Sequence, residues 1–110
     1  MVDAAEALKQ TIAMLRADYA STLPGTIAEI EALWARLPAD GAPAAGFGEL
    51  VRMVHGIAGT GATFGLAEAS GAARELERIL APLHAAGRPP DSAEREAVAA
   101  LIAALKQAAD

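Results

Sequence analysis

The chain has 110 residues, 54% of them hydrophobic, with alanine dominant and only Tyr19, Trp34, Phe47 and Phe64 as aromatics, a size that favours a single domain, 1–110, around one core. It contains no cysteine, which excludes disulfides and thiolate-bound metals and is compatible with an intracellular site. Its net charge of −5 speaks against a nucleic-acid partner, which needs a basic footprint.

No stretch approaches the ~18 uninterrupted apolar residues that span a bilayer. Asp3 and Glu6 stand where a signal peptide would carry basic residues. The expectation is a cytoplasmic, monomeric protein that engages no membrane. Alanine, leucine, glutamate and arginine are strong helix formers, and runs rich in Val, Ile, Thr and aromatics are absent. An all-α fold follows.

In the first segment Leu8, Ile12, Leu15 and Tyr19 form a helical stripe. Pro24-Gly25 interrupts it, and Ile27, Ile30, Leu33, Trp34 and Leu37 resume it. The pattern allows one helix kinked at Pro24 or a separate N-terminal helix. "PADGAPAAG", from Pro38 to Gly46, reads as a loop. The next helix begins near Phe47, buries Phe47, Leu50, Val51, Val54, Ile57, Ala58, Gly61 and Phe64, and ends near Gly65. Leu66, Ala69, Ala73, Leu76, Ile79, Leu80 and Leu83 mark the helix after it, with Pro82 able to bend or end it. "GRPPDSAER" is a second loop, with Asp91 or Ser92 as the N-cap of a last helix carrying Val98, Leu101, Ile102 and Leu105. Short links favour antiparallel neighbours, so the expected architecture is an up-down antiparallel four-helix bundle.

The stretch "RMVHGIAGTGATFG" is unusual for a helix. A glycine inside a helix is worse than alanine by about 1 kcal/mol, yet Gly56, Gly59 and Gly61 follow His55 closely. On a helical wheel His55 lies roughly 110° from the centre of the apolar face, on a flank near water. Its neighbours there are Gly48, Ala58, Gly59 and Ala62, with Arg52 one turn before. A chance surface histidine is the plain alternative, but it leaves the clustered glycines unexplained.

An isolated, exposed imidazole is a nucleophile near neutral pH. No serine or cysteine stands beside it to be activated. His84 is the one other histidine, and no HxxxH or HExxH pair exists, so no metal site is expected. No GxxxxGK[ST] loop exists, so the chain shows no means of phosphorylating itself from ATP. Such a nucleophile, with no substrate pocket of its own, points to chemistry completed by another protein.

"HGIAGTGATFG" resembles the signature of histidine phosphotransfer (HPt) domains: histidine, any residue, an apolar residue, lysine, glycine, then a glycine further on. His55, Ile57, Gly59 and Gly65 fit, and Phe64 fits the apolar place before the last glycine. "GLAEASGAARELERIL" is similar to the family's following helix and "YASTLPGTIAEIEALWARL" to its preceding region. "ATFGL" and the spacing to "ELE" lean towards the version at the N-terminus of chemotaxis-type kinases.

The resemblance implies a carrier, not an enzyme. His55 Nε2 would accept a phosphoryl group and exchange it with the aspartate of a response-regulator receiver domain. A histidine kinase is the other expected partner, and Mg²⁺ is expected in the receiver, with no cofactor in this chain. Gly48, Ala58, Gly59 and Ala62 would admit the receiver. Glu77 would accept a hydrogen bond from Nδ1, although it could instead pair with Arg74 or Arg78. The lysine of the family's pattern is replaced by Ala58. Arg74 is the preferred substitute cation and Arg52 the second, unless these are ordinary surface charges paired with Glu49 or Glu75. The loss of the lysine also opens a rival reading, a non-phosphorylated adaptor that binds a receiver or kinase as scaffold or inhibitor. A structural bundle that oligomerises through alanine faces ranks last. His84 reads as structural or incidental, favourably placed in the last turn of its helix.

Overall fold

The computed structural model describes residues 3–37 and 46–109. Four helices follow one another: α1 (Ala4–Arg36), α2 (Phe47–Thr63), α3 (Ala67–Ala86) and α4 (Ser92–Ala109). Each packs on its two neighbours in the ring and on no diagonal partner. The predicted loop from Pro38 to Gly46 lies outside the described residues except for Gly46, and the second loop is confined to 87–91, since α4 begins at Ser92.

Contacts along the seams set the directions. Tyr19 meets the ring of Phe64 at 5.7 Å, while Leu33 lies against Gly46 at the other end. Gly61 faces Ser70 and Gly48 faces His84, so α3 runs antiparallel to α2. Lys106 pairs with Glu31 at 3.6 Å, and Arg95 lies 5.7 Å from the Trp34 ring, so α4 runs antiparallel to α1. The result is the expected all-α, up-down antiparallel four-helix bundle.

The chain terminates its helices with its own side chains and glycines. Asp3 caps α1 by accepting the Glu6 N–H at 2.7 Å. At α4, Asp91 accepts from the Glu94 N–H at 2.8 Å and Glu94 accepts from the Asp91 N–H at 2.9 Å, a capping box that settles the N-cap as Asp91. Gly65, at φ +73, closes α2. Its N–H reaches the Ala62 carbonyl and that of Leu66 reaches Gly61, both bonds of a Schellman motif.

The core is aliphatic. Leu23, Ile27 and Ile30 of α1 meet Leu50, Val54 and Ile57 of α2, Leu76, Leu80 and Leu83 of α3, and Val98, Ile102 and Leu105 of α4. Pro24 neither breaks α1 nor splits off a separate helix. A proline inside a helix costs about 3 kcal/mol, whereas each buried Leu or Ile contributes about 1.5–3 kcal/mol. Leu23, Ile27 and Ile30 are fully covered around it, and Pro24 itself faces outward. Pro82 lies in the same way on the exposed side of a continuous α3.

The N-terminal stripe departs from expectation. Leu8, Ile12 and Leu15 do form one helical face, but no other element covers it, and they are 60%, 47% and 49% exposed. A helix of 33 residues is about 50 Å long. The α2–α3 corner at Phe64–Leu66 comes level with Tyr19, so the first half of α1 projects beyond the bundle and stretches the molecule to 62 × 24 × 19 Å.

Candidate functional site

His55 sits in the middle of α2, held by Val54 and Ile57, which point into the core on either side of it. Its side chain is 73% exposed. Nδ1 is hydrogen-bonded to Glu77 Oε2 on α3. An ionised carboxylate can only accept, so Nδ1 carries the proton and donates it. In the neutral ring the free lone pair is then on Nε2, which has no protein partner among the described residues. The bond joins neighbouring antiparallel helices, and Glu77 is only 28% exposed. Neither Arg74 nor Arg78 pairs with Glu77 among the described residues; Arg78 pairs with Glu75 at 3.0 Å instead.

The small residues near His55 fall into two groups. A Cβ added at Gly56 or Gly59 would meet nothing within 4 Å. No intramolecular packing calls for glycine there. Ala62 is also exposed, and Gly59 and Ala62 share the flank of His55 at helical spacing. These positions leave a low, open surface beside the imidazole. At Gly61, by contrast, an added Cβ would stand 3.3 Å from Ser70 Cβ. That glycine lets α3 close onto α2.

Two of the predicted docking residues meet other parts of the chain, and Ala58 follows its buried-face reading. Ala58 is only 5% exposed, and its carbonyl accepts a hydrogen bond from buried Ser70 Oγ at 2.7 Å. On the wheel it stands at the border between flank and core, and the close approach of α3 covers it. Gly48 is occupied from within: a Cβ there would stand 3.1 Å from His84 Cε1. The His84 ring stacks on Phe47 at 5.6 Å with 14° between planes. Gly48 is therefore a seat for this chain's own histidine, and His84 has a packing role at the end of α3.

Arg52 and Arg74 are both exposed and have no ion-pair partner among the described residues, so neither pairs with Glu49 or Glu75. The pairings of Gly61 with Ser70, His55 with Glu77 and Gly48 with His84 fix the register of α2 against α3. In that register Arg74 comes level with Ala58, one turn beyond His55. It also lies one turn before Glu77 on α3. Arg52 stands one turn on the other side of His55 on α2 itself. The buried Ser70 bond was missed in the sequence, although a serine beside Ala69 on an otherwise apolar stripe was a visible signal.

Among the described residues no three His, Cys, Asp or Glu side chains gather into a potential metal site, and no helix is long and apolar enough to cross a membrane. What the geometry provides is one exposed imidazole hydrogen-bonded through Nδ1 to a carboxylate, an open Nε2, and nearby guanidinium groups without an ion-pair partner among the described residues.

That arrangement has a counterpart among known families. The Hpt domain matches this chain over residues 3–108, and the chain belongs to the Hpt domain family. No curated protein and no solved structure matches it. Membership carries a histidine phosphotransfer role in phosphorelay signalling, where Hpt domains act as phosphocarriers without an ATP site of their own and interact with histidine kinases and response-regulator receivers.

Proposed function

We propose that His55 is the phospho-acceptor and that it exchanges its phosphoryl group with the aspartate of a receiver domain. The observation that carries this reading is the Nδ1–Glu77 hydrogen bond, which makes Nε2 the free nitrogen of the neutral ring on a largely exposed side chain. Nε2 attacks the phosphorus of the receiver's acyl phosphate in line. The P–N bond forms as the P–O bond to the aspartate breaks, and the departing carboxylate keeps the bonding electrons. The imidazole, still protonated at Nδ1, becomes cationic as its lone pair is used. Glu77 faces that developing charge and stabilises it. The reverse transfer retraces these steps. Mg²⁺, held by the receiver's own residues, would supply positive charge to the phosphoryl oxygens.

Gly56, Gly59 and Ala62 let the receiver's active site close over the imidazole. Arg74, level with Ala58, supplies the positive charge that the family's lysine would provide, with Arg52 as a second source. Neither guanidinium has an ion-pair partner among the described residues, which supports this assignment.

One observation favours the rival adaptor reading: Ala58 is buried and brings no charge to the site. Phosphotransfer separates the two. The chain is incubated with a panel of receiver domains phosphorylated by acetyl phosphate, in Mg²⁺, and then examined for acid-labile, base-stable phosphate. Label on wild type that is absent from His55→Ala is the expected outcome. Receiver binding that persists in His55→Ala, with no phosphate ever trapped on wild type, would establish the adaptor.

A further inference from the structure

Where α1 leaves the bundle, it forms one wall of a groove of about 590 Å³, whose other wall is the α2–α3 corner. Ile12, Ala13 and Phe64 give it an apolar lining, and Lys9 and Arg16 are set into it. Among the described residues no carboxylate lines it, although the chain as a whole carries a net charge of −5. Neither Lys9 nor Arg16 has an ion-pair partner among the described residues. Just past its edge, Leu8 and Leu15 prolong the apolar surface along the projecting helix. His55 lies elsewhere, about 12 Å back along α2 from Thr63 and facing α3.

We infer that this groove is a second docking surface, separate from the histidine, for an amphipathic helix of a partner protein that presents carboxylates two turns apart. The charge pattern selects this occupant. Lys9 and Arg16 are two turns apart on one line of α1, about 10 Å along its axis. Carboxylates spaced by two turns on a helix lying along α1 meet both cations at once, while its apolar residues cover Ile12 and Phe64. Paired apolar and charged contacts of this kind give both register and selectivity.

The same pattern disfavours a second copy of this chain. A two-fold antiparallel pairing of this face about Ile12–Ala13 would place Lys9 of each copy beside Arg16 of the other, cation against cation. A parallel pairing would bring the two bundles to the same level, where this face of α1 is already covered by α2 and α4.

The test uses the full chain and two fluorescein-labelled synthetic amphipathic helices with the same leucine face. One carries glutamates two turns apart, and the other carries lysine in place of each glutamate. Fluorescence anisotropy at low ionic strength is expected to show the glutamate helix binding roughly tenfold more tightly. Amide shifts should be confined to residues 9–20 and 63–65. Lys9→Glu with Arg16→Glu should invert the preference, and Ile12→Asp should weaken both helices. These positions are exposed, and circular dichroism of each variant verifies the fold. His55→Ala should bind unchanged, which keeps the outcome independent of phosphotransfer. Equal affinity for the two helices, or binding to neither, would overturn the inference. So would sedimentation showing a dimer that Ile12→Asp dissociates, since a second copy would then occupy the groove. Co-sedimentation with phosphatidylglycerol vesicles in preference to the glutamate helix would overturn it in favour of a lipid surface.

Discussion

Gly59 and Gly61 lie two residues apart in α2 and stand in opposite surroundings. Beside Gly61 the chain meets itself: Ser70 Cβ is where a side chain would have to go, and Ser70 Oγ bonds the carbonyl of Ala58 in the same seam. Beside Gly59 there is only solvent. One glycine is explained by the fold. The other weakens a helix with no packing contact in return, as the proposed closure of a receiver over that flank would require. Gly56 and Ala62 belong with Gly59 on the open side. Ala58, which the sequence pattern places on both the buried face and that flank, belongs with Gly61 on the closed side.

The largest expected effect separates the open flank from the fold altogether. His55→Ala should abolish phosphate acceptance, measured as label transferred from a phosphorylated receiver, while leaving thermal unfolding nearly unchanged because the imidazole is largely outside the core. Behind it, Glu77→Gln should slow transfer by about 10- to 100-fold, the usual consequence of losing the group that orients an imidazole. Rapid-quench kinetics with a phosphorylated receiver would measure it. A rate equal to wild type would remove Glu77 from the mechanism.

The closed side should respond in stability instead. Gly61→Val forces a larger side chain against Ser70 and should destabilise the bundle by about 1–3 kcal/mol, a fall in Tm of some 4–8 °C per kcal/mol for a domain of this size. The open side should do the reverse. Gly59→Ala is expected to raise stability by about 0.5–1 kcal/mol, because alanine is the better helix former and nothing obstructs it. Gly59→Leu should keep the fold but impede transfer from the receiver, while labelling by phosphoramidate, a small donor, stays at the wild-type level. Loss of stability in both Gly59 variants would erase the distinction between the two glycines.

The smallest effect concerns the missing lysine. Arg74→Ala should lower the transfer rate by roughly fivefold, the worth of one exposed charge interaction. Ala58→Lys should restore that loss while changing the otherwise wild-type protein little. A large gain from Ala58→Lys alone would mean that the arginines do not stand in for it.

The helical periodicity carried the bundle and most of its buried faces, because a stripe at 3.6-residue spacing has to be covered by something. It could not say by what. Leu8, Ile12 and Leu15 have the same pattern as Ile27 and Ile30, yet only the latter lie opposite another helix. Helix length and the position of the α2–α3 corner decide that, and both are tertiary facts. Pro24 is similar: its effect on α1 depends on which side faces the core and on how firmly Leu23 and Ile27 are held. The wheel placed His55 correctly because it lies far from the apolar centre. Ala58 lies near the border, where the closeness of α3, set by Gly61 and Ser70, turns exposure into burial. The His84–Gly48 contact joins residues distant in sequence and left no local trace. Glu77 was reached through family resemblance, not spacing, because the register of an antiparallel helix pair cannot be counted from its sequence.

Locating the phosphate is the most direct test of the phosphotransfer assignment. The chain, labelled with ¹⁵N at histidine, is treated with phosphoramidate and separately with a phosphorylated receiver, and the product is examined by ³¹P and ¹⁵N NMR at neutral pH. A single phosphohistidine at position 55, bonded through Nε2 with the proton retained at Nδ1, is the predicted result. Phosphate on Nδ1, label that survives His55→Ala, or no phosphohistidine from either donor would contradict it.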